Sequence, residues 1–118
     1  MELSTTGYIR EIKQRNHGIE AVEITWPRGT RTPKHNHRSR GWVWVLKGRV
    51  FEVKDGKKLY YGEGDAFLEV PNCSTHIVGN DTEEVSITFH VYKPELEMDI
   101  FEDSPEDKAA LQEVAIAV

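Results

Sequence analysis

Val85-Ser86-Ile87-Thr88-Phe89-His90-Val91-Tyr92 alternates strictly between apolar and polar side chains. Successive residues of a strand point to opposite faces, so Val85, Ile87, Phe89 and Val91 share one face and Ser86, Thr88, His90 and Tyr92 the other. Two readings fit. The polar face lies in water on a half-exposed strand, or it looks into the interior of a barrel that carries polar groups. The alternation alone does not separate them; the histidines elsewhere in the chain favour the interior.

Outward from this stretch the pattern stays β. Ile19 to Trp26 is alternating and rich in β-branched residues, and it ends at Pro27-Arg28-Gly29, which stops strand pairing. Trp42 to Leu46 is a short run closed by Lys47-Gly48, and Arg49 to Lys54 follows as a further strand. Asp55-Gly56 has the residue types that tolerate positive φ and predicts a hairpin. Glu63-Gly64-Asp65 predicts another turn, then Ala66 to Val70 a strand stopped by Pro71-Asn72. Short strands punctuated this often predict an all-β sandwich or barrel. The C-terminal end differs: Ser104 suits an N-cap, Pro105 the first helical position, and Glu106 and Asp107 the positive end of the helix dipole. Leu111, Val114, Ala115 and Val118 then form one apolar stripe. A helix so short must pack on the barrel or on a partner subunit.

With 118 residues the chain has material for one core, and residues 1–118 are expected to form a single domain. The formal charge of −5 argues against nucleic acid or anionic membrane as the main partner. No apolar run reaches the length of a membrane span. The opening Met1 to Gly7 lacks the basic and apolar regions of a secretory signal, and Cys73 has no second cysteine to pair with. A cytoplasmic location is the expectation.

His35-Asn36-His37 has the i, i+2 spacing that brings two imidazoles to one face of a strand, within reach of a single cation. His76, at the start of a later strand, is the candidate third ligand. On its own a His-x-His pair also occurs as scattered surface histidines.

The surroundings of these histidines resemble the two motifs of the cupins. Gly29, His35-x-His37 and Gly48 are similar to the first motif; Gly64-Asp65, Pro71, His76 and Asn80 are similar to the second. The resemblance covers about residues 19 to 92 and implies an all-β cupin fold, a double-stranded β-helix or jelly-roll barrel, here followed by the short C-terminal helix. The glutamate that usually follows the second histidine is missing, because Gly41 and Trp42 stand there. A site of three neutral imidazoles keeps the full charge of its metal, attracts anions and favours a bound thiolate. Glu52 and Glu69 are available as substitute carboxylates, but their spacing assigns neither.

Within the cupins the chain resembles the thiol dioxygenases, cysteine dioxygenase most of all. Thr88, His90 and Tyr92 fall where that family has a Ser-His-Tyr triad, and Tyr8-Ile9-Arg10 is similar to the segment whose arginine binds the substrate carboxylate. Trp26 sits at the family's distance from His35, and Gly41 where bacterial members have glycine. The resemblance implies Fe(II) held by His35, His37 and His76, a small thiol such as cysteine oxidised by O2 to its sulfinic acid, and Tyr92, His90 and Thr88 as the catalytic set. Arg10, Tyr8 and Trp26 would bind substrate. The family's N-terminal helical region is not matched, so part of the pocket wall is expected to be absent or supplied by a second subunit.

Two other functions compete. A non-catalytic or regulatory metal cupin would bind a small anion, steered by Arg28, Arg31, Lys34, Arg38 and Arg40; a cupin isomerase or epimerase would favour manganese or zinc. Trp42 and Trp44, on one face of a strand, read as core or subunit-interface residues. A homodimer is expected, with exposed edge strands and the apolar C-terminal stripe as the physical reason.

Overall fold

The computed structural model describes residues 1–69, 75–93 and 99–113. Pro71-Asn72, Cys73 and the Val114, Ala115 and Val118 part of the expected stripe lie outside the described residues.

In chain order the strands are β1 (Ile9–Asn16), β2 (Ile19–Trp26), β3 (Thr30–Arg31), β4 (Lys34–His35), β5 (Gly41–Lys47), β6 (Arg49–Lys54), β7 (Lys57–Gly62), β8 (Ala66–Glu69), β9 (His76–Asn80), β10 (Ser86–Tyr92) and β11 (Ile100–Phe101). One helix, α1 (Pro105–Leu111), follows. One sheet runs β1-β2-β10-β5-β8; the other runs β11-β4-β9-β6-β7, with β3 also paired to β9. The named strands pair antiparallel. This is the jelly-roll arrangement expected of the sequence, with the short helix at its C-terminal end.

The strand that opened the reading lies at the centre of the first sheet, flanked by β2 and β5. Its polar side is the buried one: Ser86 and Thr88 are fully buried and His90 nearly so. Ile87, Phe89 and Val91 are half-buried on the outside. The interior reading therefore holds, and the apolar residues of this strand face away from the barrel.

Inside, Val22, Ile24 and Trp26 of β2 meet Val43 and Val45 of β5, Val50 of β6, Phe67 of β8 and Val78 of β9. A second cluster lies on the far side of the second sheet, where Phe51, Val53 and Ile77 pack against Ala110 and Leu111 of α1. Fully burying side chains of this size contributes about 1.5–3 kcal/mol each. The alternation within β6 thus serves two layers: Val50 and Glu52 point into the barrel, Phe51 and Val53 toward the helix. The helix begins as read, with a reciprocal capping box between Ser104 and Asp107 and with Pro105 in its first turn.

Two turns share one mechanism. Asp55 and Gly56 have φ of 53° and 72°, as do His17 and Gly18 at 51° and 73°. Paired left-handed residues twist in the sense that joins adjacent antiparallel strands. His17, for which the sequence offers no role, is a turn residue between β1 and β2. Gly79 answers a different demand: a Cβ there would come within 2.5 Å of the Thr30 carbonyl oxygen and 2.8 Å of Phe51, so β3 crosses β9 only over glycine.

Candidate metal centre

Three imidazoles converge at one end of the barrel. The Nε2 atoms of His35 and His37 are 3.0 Å apart, those of His37 and His76 2.8 Å, and those of His76 and His35 3.1 Å. His35 ends β4 and pairs directly with His76 at the start of β9. His37 lies past the end of β4, so it reaches the cluster from a loop and not from the shared strand face that its spacing predicts.

Each of two histidines is aimed by its other nitrogen. His35 Nδ1 donates to the Pro33 carbonyl at 2.7 Å, and His76 Nδ1 to Glu52 Oε2 at 2.7 Å. Both contacts leave Nε2 free of its proton and turned inward, the arrangement that orients metal-binding imidazoles. Burial, reinforced by the neighbouring His76, holds His35 down at about 3, so it is neutral at pH 7.

These residues fit a divalent cation. Two nitrogens each about 2.1 Å from one ion stand roughly 3.0 Å apart when they subtend a right angle, and roughly 3.4 Å apart at the tetrahedral angle. The observed edges match the right angle, so the triangle suits one face of an octahedron. His35, His37 and His76 together form a group that can hold a metal ion.

A carboxylate stands beside the triangle. Glu69 Oε2, at the end of β8, lies 3.0 Å from His37 Nε2. Burial raises the Glu69 carboxyl, but the hydrogen bond with His37 and the electrostatic attraction of His37 and the neighbouring imidazoles outweigh it and bring the group to about 2. The two substitute carboxylates offered by the sequence thus have different places: Glu52 supports His76 through Nδ1, and Glu69 faces Nε2 of His37.

Beside the histidines opens a cavity of about 270 Å³. Tyr8, Arg10, Trp26, His90 and Tyr92 line it together with His35 and His37. Every substrate-binding residue expected from the sequence therefore lines one pocket. Arg10 lies in β1 and Tyr8 immediately before it, and both line one wall of this cavity. Tyr8 stands 4.9 Å from the Trp26 ring, centre to centre. Arg10 is pinned by Glu20, whose Oε1 accepts from Nη2 at 3.3 Å, and its guanidinium lies 5.8 Å from the centre of the Tyr92 ring. Glu20, buried on β2 and also bound by Arg15, is a positioning residue that carries no motif of its own.

Thr88 lies behind the cavity. Its hydroxyl accepts from the Trp26 indole N–H at 2.8 Å and stands 2.7 Å from His90 Nε2. With the indole as donor, the threonine hydroxyl still has both a hydrogen and a lone pair to offer His90 Nε2, so it can hold the ring in either tautomer. Burial keeps His90 neutral, down at about 4. The chain of contacts is thus Trp26 to Thr88 to His90; among the described residues it does not continue to the Tyr92 hydroxyl. Gly41 pairs with Tyr92 on β10, and a Cβ at 41 would come within 2.8 Å of the Tyr92 Cβ, so glycine there sets the tyrosine's position.

The rim of basic residues is largely neutralised. Arg28 pairs with Glu83, Arg31 with Asp103, Lys34 with Asp107 and Arg38 with Asp99. Four of the five cations expected to steer an anion are therefore paired, three of them in contacts that hold α1 and the segments flanking β11 to the barrel and Arg28 with the β9–β10 connection. Among the described residues no helix is long and apolar enough to cross a membrane.

A small antiparallel jelly roll carrying a histidine triad that could hold a metal ion defines a double-stranded β-helix of the kind found in metal-binding proteins. Residues 22–92 match the cupin domain family, and the chain belongs to it. The chain is 32% identical over 74 residues to auxin-binding protein T85 of Nicotiana tabacum, a match that covers 58% of this chain and 40% of that protein's length. Among solved structures it resembles a conserved Klebsiella pneumoniae protein with a double-stranded β-helix domain (TM-score 0.70, 18% identity, 85% of this chain and 89% of that one). It also resembles a cupin-superfamily sugar phosphate isomerase from Silicibacter pomeroyi (TM-score 0.62, 17% identity, 66% of this chain and 52% of that one). The two structural likenesses show the fold alone.

Proposed function

We propose that this cupin is an Fe(II)-dependent thiol dioxygenase acting on a small thiol that also carries an anionic group. The observation that carries the reading is the joining of a three-imidazole face to a small cavity that also holds Arg10 and Tyr92. When bound, Fe(II) supplies neighbouring open positions where thiolate and O2 can meet.

The protein's own residues do the rest. Arg10, braced by Glu20, binds the substrate's carboxylate through charge-assisted hydrogen bonds. Tyr8 and Trp26 close an apolar wall that keeps water from the reacting sulfur. Tyr92 offers a phenolic proton to the oxygen atoms being transferred, and Thr88 fixes the ring of His90 beside it. The reaction is balanced without another reductant: a thiol and O2 give a sulfinic acid, both oxygen atoms forming bonds to sulfur. Sulfur loses four electrons and O2 gains them. Anaerobic reconstitution with Fe(II), followed by O2-electrode measurements with a panel of small thiols, tests it. Thiol-dependent uptake with one O2 per sulfinate is expected; none from fully metallated protein would refute it.

A second reading, a metal cupin that binds a small anion without turnover, is favoured by the likeness to a protein named as auxin-binding. It predicts saturable ligand binding and no product. We further propose a homodimer formed through the outer face of the β10-β5-β8 sheet, where Trp42 and Trp44 lie exposed.

A further inference from the structure

We propose that Glu69 is a fourth ligand to the cation held by His35, His37 and His76, so that two positions remain and a thiol substrate binds through sulfur alone. The proposal rests on the metal reading above and narrows its substrate. Glu69 takes the place of the glutamate that Gly41 and Trp42 displace from the strand after His37. The two positions are neighbours in space, because Gly41 pairs with Glu69 between β5 and β8. Along β8 the side chains of Phe67 and Glu69 turn inward, and Glu69 is only 9% exposed.

The argument is one of exchange. Glu69 Oε2 lies 3.0 Å from His37 Nε2, a contact that needs a proton on that nitrogen. The same nitrogen faces His35 and His76. With its Nε2 committed to a cation, His37 would no longer donate to Glu69, which would lose the hydrogen bond that it has among the described residues. A buried carboxylate without a donor is costly, so it turns to the nearest positive charge, which is the cation itself. The carboxylate has to swing inward from beside His37, because Glu69 Oε2 lies 3.0 Å from His37 Nε2 but outside the group of ligand atoms that His35, His37 and His76 form.

The count of positions then constrains the substrate. Three imidazoles and a carboxylate would leave two positions on an octahedral ion, room for one thiolate and O2. An aminothiol chelating through both nitrogen and sulfur would leave none for O2. A mercapto acid fits, with its thiolate on the metal and its carboxylate on Arg10 across the cavity. The remaining charge of the site, +1 after Glu69, is cancelled by that thiolate.

Cobalt(II) titration of the full chain under anaerobic conditions, followed by visible absorption, tests the ligand. Glu69→Gln is expected to weaken binding by about 10-fold or more and to shift the d–d bands, with far-UV circular dichroism unchanged. Glu69→Ala serves as a second variant should the glutamine change the fold. Wild-type affinity and spectrum in a folded variant would overturn the proposal while leaving the three-histidine site standing. Failure of the unaltered protein to bind cobalt(II) would remove both. The substrate arm follows the sulfur-to-cobalt charge-transfer band with mercaptopropionate and cysteine, which share the carboxylate: affinities within about 3-fold are expected, and cysteine binding about 10-fold or more tightly, the gain of a chelating amine, would overturn binding through sulfur alone.

Discussion

At the scale of single residues, the site is built from polar groups that a barrel interior ordinarily excludes, and each is retained because it has a partner. Thr88 shows the dependence. Thr88→Val keeps the shape but leaves the Trp26 N–H and His90 Nε2 without their shared hydroxyl. An unsatisfied buried group costs about 1–3 kcal/mol, so the variant should lose at least about 2 kcal/mol in urea unfolding, whereas Thr88→Ser should lose little beyond the methyl group. The buried histidines also set a pH dependence. His35 and His90 stay neutral down to about 3 and about 4 when folded, against an ordinary value of 6.5. Unfolding lets them take up protons first, so their contribution to stability is complete above 6.5 and is lost as pH falls through that window. Each lowers stability by about 1.4 kcal/mol per pH unit inside it. Glu69, held down near 2, acts in the same direction below the ordinary carboxylate range. Chemical denaturation of chelator-treated protein between about pH 7 and 5 should show stability falling with acidification; a rise would contradict the burial described.

At the scale of elements, α1 is fastened by a lysine. Lys58 of β7 has a fully buried side chain and donates to Asp81 Oδ2 at 2.6 Å and to the carbonyls of Leu111 and Glu113 at 3.2 and 2.7 Å. It thereby satisfies carbonyls at the C-terminal end of a seven-residue helix that could not persist alone. Lys58→Met should cost about 3 kcal/mol, because it leaves Asp81 with the Tyr60 hydroxyl but without its cation, and should speed hydrogen exchange across 106–111 more than across β10. Uniform exchange would mean that the helix does not depend on this contact. The same scale explains what was legible in the sequence. β2 and β6 have the bounds that their alternation and flanking turns imply, and the Ser104 cap marks the start of α1 to the residue. β1 gives no such signal, since all eight of its residues are exposed and the strand is defined by pairing with β2 alone. β3, β4 and β11 are two residues each, too short to show any period. The histidine triad is legible because its spacing and order are local properties. The roles of Glu52 and Glu69 are not: each is fixed by a register with a distant strand, β6 with β9 and β5 with β8, that no local pattern encodes.

At the scale of the molecule, the inversion of β10 has a consequence for assembly. Its polar side is committed to the interior, and the apolar side is continuous with neighbouring strands on the outside. Val91 pairs with Trp42 and Trp42 with Leu68; Phe89 pairs with Trp44. Trp42 is 48% exposed, Trp44 38% and Leu68 41%. A row of large apolar residues crossing three strands is not the random scatter of hydrophobic side chains found on monomers, and patches of this kind mark association surfaces. A second copy of the same face is the occupant that fits, since a two-fold axis sets tryptophans against tryptophans without introducing an unmatched charge. The chain should sediment as a dimer, and Trp42→Lys with Trp44→Lys should give a monomer whose far-UV spectrum is retained, because both side chains lie outside the core. A monomer mass for the unaltered chain would exclude the pairing. The metal site is drawn from the opposite side of the same sheet and from β4 and β9, so cobalt(II) binding should survive in the double variant. That separation makes assembly and chemistry independently testable.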